Sequence, residues 1–119
     1  MTASAERQDR YRRGNWAEYI AAAYLMTKGY RILARRFKTP LGEIDLIAAR
    51  GGRIVFVEVK HRATQLDCEA SVTPRLRQRV RRAADVWISK RPRYQACDFG
   101  FDLIFIVARS WPIHLRDAL

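Results

Sequence analysis

A chain of 119 residues with 49% hydrophobic content suits one domain with a real core and leaves little room for a second. Lys and Arg outnumber Asp and Glu by 23 to 12, a net charge of +11, which favours a polyanionic partner, most simply nucleic acid. No apolar run approaches the ~20 residues of a membrane span, the polar MTASAERQDRYRRG start lacks the core of a secretory signal, and Cys68 and Cys97 have no CxxC or zinc-ligand spacing. A membrane, secreted or zinc protein is thereby disfavoured, and a cytoplasmic protein with reduced thiols is expected.

Residues 1–13 read as a flexible basic arm, and 12–119 as the folded domain. Asn15 followed by WAEYIAAAYLMTKG predicts a helix with Asn15 as N-cap, Glu18 at the third helical position and Gly29 as terminator. Trp16, Ile20, Ala23 and Tyr24 recur at helical spacing as its inward face. YRILARRF is a short strand ended by Pro40-Leu41-Gly42.

Glu43–Ala49 and Arg53–Lys60 are apolar strands joined by Gly51-Gly52, a two-residue hairpin turn. That turn sets the register: Arg50 faces Arg53, Ala49 faces Ile54, Ile47 faces Phe56, Asp45 faces Glu58 and Glu43 faces Lys60. By alternation Glu43, Asp45, Glu58 and Lys60 share one face, with Ile44, Leu46, Val55, Val57 and Val59 on the other. HRATQLDCEASV reads as a loop. Thr73 then caps a second helix with Pro74 at its first position, and Leu76, Val80, Ala83, Ala84, Trp87 and Ile88 form its buried stripe. RPRYQACDFG breaks that helix, FDLIFIVA is a buried strand, and IHLRDAL suggests a last helical turn. The fold class is α/β, in the order helix, strand, strand, strand, helix, strand, with a mixed sheet between helices.

Two carboxylates opposite each other on a pleated face repel, so Asp45 and Glu58 need a compensating cation. Lys60 offsets part of the charge, and oxygen donors of this kind suit Mg²⁺ or Mn²⁺. A cation so held lowers the pKa of water and stabilises charge on a phosphate, with Lys60 placed to position the attacking water or meet the developing charge. The bland alternative is a cross-strand Glu43–Lys60 ion pair at a sheet edge, with Asp45 a surface acid.

GEIDLIA, a glycine turn and VFVEVKHR, preceded by AEYIAAAYL and GYRIL and followed by SVT and FDLI…IHLRDAL, resemble the YraN-like family of uncharacterised bacterial proteins. The resemblance runs from about Arg12 to the end of the chain. It implies a restriction-endonuclease-like fold of the PD-(D/E)XK nuclease superfamily, near the archaeal Holliday-junction resolvases. It assigns Asp45 as the motif aspartate, Glu58 as the motif acid, Lys60 as the motif lysine and Glu18 as the helix acid, with Asp45 and Glu58 as metal ligands. The cation, Mg²⁺ or Mn²⁺, is expected to arrive with substrate. Ile44 stands where relatives of that superfamily carry proline, and Leu76 where many carry a helix lysine, with Arg75 and Arg77 beside it.

Glu18 has a second reading as the acid of a capping box with Asn15. Glu43 reads as a supporting acid behind the ligands or as the partner of Lys60. His61 should point away from Lys60 and so be a poor base, and His114 reads as structural. Arg36, Arg62, Arg75, Arg77, Arg79, Arg81 and Arg82 are candidates for phosphate contacts with little base specificity. Trp87 reads as core, and Trp111 as an exposed aromatic. The expected function is metal-dependent hydrolysis of phosphodiester bonds in DNA, branched DNA included, or RNA, by an enzyme that the resemblance suggests works as a homodimer. Two rival expectations are a non-cutting nucleic-acid-binding protein on a nuclease scaffold and a protein-interaction module with a basic face.

Overall fold

The computed structural model describes residues 16–119. The expected N-cap Asn15 and the basic arm at 1–13 lie outside the described residues. Helix α1 occupies 16–27 and gives way at Gly29, whose φ of +87° is the left-handed conformation expected of a glycine terminator. Strands β1 (Arg31–Thr39), β2 (Gly42–Arg50) and β3 (Arg53–His61) follow, then α2 (Gln65–Ala70), α3 (Pro74–Ser89), a 3₁₀ turn at Pro92–Tyr94, β4 (Asp98–Ile106) and β5 (Ile113–Leu115).

The five strands form one mixed sheet in chain order. The pairs β1/β2, β2/β3 and β4/β5 are antiparallel, while β3 and β4 are parallel along their whole length. A parallel pair needs a crossover of a dozen residues or more, and α2 and α3 supply it. The β2/β3 ladder has the register counted from Gly51-Gly52: Arg50 faces Arg53, Ala49 faces Ile54 and Ile47 faces Phe56. Gly51 makes that turn at φ +59°.

Alternation along the strands divides the core. Leu46, Ala48, Val55, Val57, Ile104 and Ile106 pack on one face against Ala17, Ala21, Ala22 and Leu25 of α1. Ile47, Ala49, Ile54, Phe56, Leu103 and Phe105 pack on the other against Val80, Ala83, Ala84 and Trp87 of α3. Thr73 caps α3 by accepting from the Leu76 amide, and the expected stripe is buried, with Leu76 and Ile88 at its margins.

Four expectations are corrected. The inward face of α1 is Ala17, Ala21 and Leu25, whereas Trp16 is exposed; small alanines let the helix lie close to the branched residues of β3. The segment after His61 is not a loop throughout, because Thr64 accepts from the Asp67 amide and caps α2, which buries Cys68. The tail makes β5 and not a helical turn, its Leu115 opposite Leu103 and His114 opposite Ile104. Two elements, α2 and β5, are therefore added to the expected order.

Gly42 marks where α3 meets the sheet, since a Cβ there would sit 2.1 Å from the carbonyl oxygen of Arg79. Backbone cannot yield as a flexible side chain does. Gly42→Ala is expected to lower stability by about 3 kcal/mol in urea denaturation, through overpacking that pries α3 from β2. An unchanged midpoint would show that this contact is not tight.

Candidate active site

Asp45 sits where β2 and β3 diverge. Its Oδ2 accepts the Val59 amide at 2.8 Å, so a side chain takes a place that a strand carbonyl would otherwise fill. The backbone departs from regular pleating here. Ile44 packs in the α3-side cluster while Leu46 packs in the α1-side cluster, so the strict alternation that grouped them fails between these two residues. On the neighbouring strand Arg36 takes a φ of +54°, between the pairs Arg35–Leu46 and Phe37–Ile44. This local irregularity lets Asp45 reach toward α1 although Ile47, two residues on, faces α3.

The charge of Asp45 acts on Glu58, and both acids line one cavity. Glu58 is 6% exposed, and the Lys60 Nζ lies 3.4 Å from its Oε1. From α1, the Oε2 of Glu18, 8% exposed, accepts from the Arg36 Nε at 2.7 Å. Asp45, Glu58, Lys60 and Glu18 thus come together, as expected from sequence. They line an open cavity of about 660 Å³ with Ala17, Val59, His61, Arg62, Ala63 and Ala108. It opens at the carboxyl ends of the parallel pair β3 and β4, where α/β sheets commonly place their ligands.

Burial pushes Asp45 up to about 6, against the Val59 hydrogen bond, with the charge of Glu18 adding to the rise. Burial and then the charge of Asp45 push Glu58 up to about 8, against the pull of Lys60. Two neighbouring carboxylates cannot both ionise cheaply, so the pair holds about one proton at neutral pH. Oxygen donors only, two carboxylates and open solvent suit Mg²⁺ or Mn²⁺. Among the described residues no group of three or more Asp, Glu, His or Cys is arranged to hold a metal.

The remaining candidates sort themselves by position. Glu43 is exposed and borders a smaller cavity of about 170 Å³ with Glu18, Arg36, Lys38 and Asp45. The ion pair of Lys60 is with Glu58, which corrects the expected Glu43–Lys60 pairing; Glu43 stands opposite Lys38 on β1 instead. His61 lines the same cavity as Lys60, contrary to strict alternation, and its ring lies 5.6 Å from that of Trp16.

Arg62 and Arg36 border the two cavities. Arg75, Arg77, Arg79, Arg81 and Arg82 are exposed on α3 and line neither, and Arg81 donates to the Leu119 carbonyl and lies over Phe101. Trp87 is buried and Trp111 is exposed, as read from sequence, and both cysteines are free. Sequence reasoning missed Cys68, whose Sγ reaches the Lys60 carbonyl at 3.7 Å and ties α2 to the site. It also missed a buried network on the far strands, with Asp102 0% exposed and His114 between two polar partners. The lone Asp inside FDLIFIVA was the available signal.

The fold and site define a mixed-sheet α/β protein that holds an acid pair with an adjacent lysine at a sheet end. Residues 17–106 match the uncharacterised protein family UPF0102, and the chain belongs to that family. It is 46% identical to the UPF0102 protein mlr4633 of Mesorhizobium japonicum, over 97% of this chain and 92% of the relative. It is 50% identical to the UPF0102 protein BRADO0179 of Bradyrhizobium sp., over 98% and 83%. A Maricaulis maris relative is 46% identical over 89% and 84%. No helix among the described residues is long and apolar enough to cross a membrane.

Because both acids sit above their ordinary values of 3.8 and 4.5, the folded chain binds more protons than the unfolded chain between those values and about 8. The stability contributed by the protonated pair is complete below about pH 4 and is lost as pH rises through about 6 and about 8. Glu58→Gln, which cannot ionise, is expected to match the parent near pH 4 and to exceed it by roughly 1–3 kcal/mol at pH 9 in urea denaturation without divalent ions. A gap that does not grow with pH would mean that the pair carries no shared charge.

Proposed function

We propose that this protein is a metal-dependent nuclease of restriction-endonuclease-like fold, cutting phosphodiester bonds in DNA or RNA with Asp45 and Glu58 as ligands to Mg²⁺ or Mn²⁺. The observation that carries this reading is the half-buried Asp45 beside the buried Glu58, with Lys60 3.4 Å from Glu58, on the wall of a solvent-open cavity in a chain of net charge +11. The cation would supply charge for the phosphoryl oxygens and a lower pKa for water.

The chain's own residues do the rest. The Val59 amide fixes one oxygen of Asp45, so the carboxyl is pre-oriented. Lys60, held from Glu58 on one side and from the Cys68 thiol through its own carbonyl on the other, presents an ammonium to the phosphate or the attacking water. Glu18 and Arg36 keep each other in place at the cavity wall. The exposed arginines of α3 lie outside the cavities and serve as phosphate contacts away from the cut, which gives salt-sensitive affinity with little base preference.

A cleavage screen over linear, flapped, looped and four-way-junction nucleic acids, with Mg²⁺ and Mn²⁺, tests the reading. Cleavage of at least one substrate is expected, lowered about a hundredfold or more in Asp45→Ala and in Lys60→Ala. Equal cleavage by parent and Asp45→Ala would mark a contaminant. Binding without cleavage across the whole screen would favour a non-cutting nucleic-acid-binding protein.

A further inference from the structure

A second group of polar side chains lies away from the acid pair and lines neither of the cavities that Asp45 borders. Asp102 of β4 is fully buried. Its Oδ2 meets the His114 Nε2 at 2.8 Å, and its Oδ1 takes the Asp117 amide at 3.0 Å and the Arg53 Nη2 at 3.5 Å. The His114 side chain is 1% exposed. Beyond it, the Lys28 Nζ lies 2.6 Å from the His114 Nδ1.

The order of these contacts sets the protons. A carboxylate only accepts, so Nε2 of His114 carries hydrogen and Nδ1 turns its lone pair to the Lys28 amine. Burial acts to raise the Asp102 carboxyl, but the His114 hydrogen bond, the Asp117 amide and Arg53 outweigh it and hold the group below the usual range. Asp102 is thus a standing anion behind the imidazole. Carboxylate, imidazole and nucleophile in that sequence are the arrangement by which proteins activate a weak nucleophile.

Lys28 is the reachable end of the chain of contacts. It stands in the turn after α1 and is half-buried. Desolvation, then the charges of Arg50 and Arg116, lower its pKa against the opposing pull of Asp102. Arg50 of β2 donates to the Lys28 carbonyl and lies over the Tyr30 ring, the Tyr30 ring meets the edge of His114, and Tyr24 presents its face 5.3 Å from the Lys28 Nζ. Arg53 is paired with Asp102 and Asp117. Arg50 and Arg116 each act on the amine more strongly than Asp102 does, which favours its neutral form and attracts an anionic reagent.

We propose that Lys28 is a covalent acylation site whose amine, backed by His114 and Asp102, takes the acyl group of an anionic donor of the acyl-phosphate class. The Lys28 nitrogen attacks the acyl carbon and a C–N bond forms. The C–O bond to phosphate breaks, phosphate leaves with that electron pair, and the amine proton passes by way of the His114 Nδ1 to the departing phosphate oxygen. The product is an amide that has lost its charge and no longer presents an ammonium to His114, so α1 is released from β5 at this point.

The test incubates the whole protein with acetyl phosphate at pH 7.5 and follows each lysine by peptide mass spectrometry. Lys90, exposed at the end of α3, is the internal reference. Lys28 is expected to acylate at least about tenfold faster than Lys90, and His114→Gln to bring it near the Lys90 rate while Lys90 itself is unchanged. If circular dichroism shows that this variant does not fold, the exposed Arg116→Gln stands in, with a several-fold slowing at Lys28 alone. Equal rates at Lys28 and Lys90 in the parent, or a Lys28 rate unaltered in the folded variant, would overturn the assignment.

Discussion

The hydrogen bond from the Val59 amide to the Asp45 carboxyl is the contact on which the site depends. It places an acid in the fork between β2 and β3, and the fork brings that acid against Glu58. Desolvation then does what desolvation does to neighbouring carboxyls, lifting both above their ordinary range and leaving a shared proton where a cation would be favoured. The apolar residues on either side, Leu46 and Val57 toward α1 and Ile47 and Phe56 toward α3, supply the rigid frame that holds the acids together. Without packed helices on both faces the acids would separate and hydrate.

Much of this frame was legible because it rests on short-range chemistry. Gly51-Gly52 between two branched apolar runs dictates a hairpin and, with it, the register that aligns Ile47 with Phe56. Thr73-Pro74 announces the start of α3, and the i, i+4, i+7 spacing of its apolar residues announces its buried stripe. The register carries β2 and β3 as far as Leu46 and Val57, beyond which the Asp45 carboxyl takes the Val59 amide and lines one cavity with Glu58, Lys60 and Glu18.

What escaped the sequence depends on contacts distant along the chain or on departures from a period. His61, at the last paired position of β3, lines the cavity beside Lys60, and Ile44 parts from Leu46 where Asp45 replaces a ladder contact with its own side chain. The buried face of α1 is Ala17, Ala21, Ala22 and Leu25, because close approach to branched strand residues favours small side chains over Trp16. β5 is only three residues long, and its place depends on Asp102 receiving His114, a pairing 12 residues apart that no local pattern announces.

The proposed cation site of Asp45 and Glu58 must give up a proton to fill. Calorimetric titration with Mn²⁺ at pH 7, in buffers of different ionisation enthalpy, measures binding and proton release together. Saturable binding with release of about one proton, abolished in Asp45→Asn, is the expected result. Binding without proton release, or binding that survives in Asp45→Asn, would contradict it.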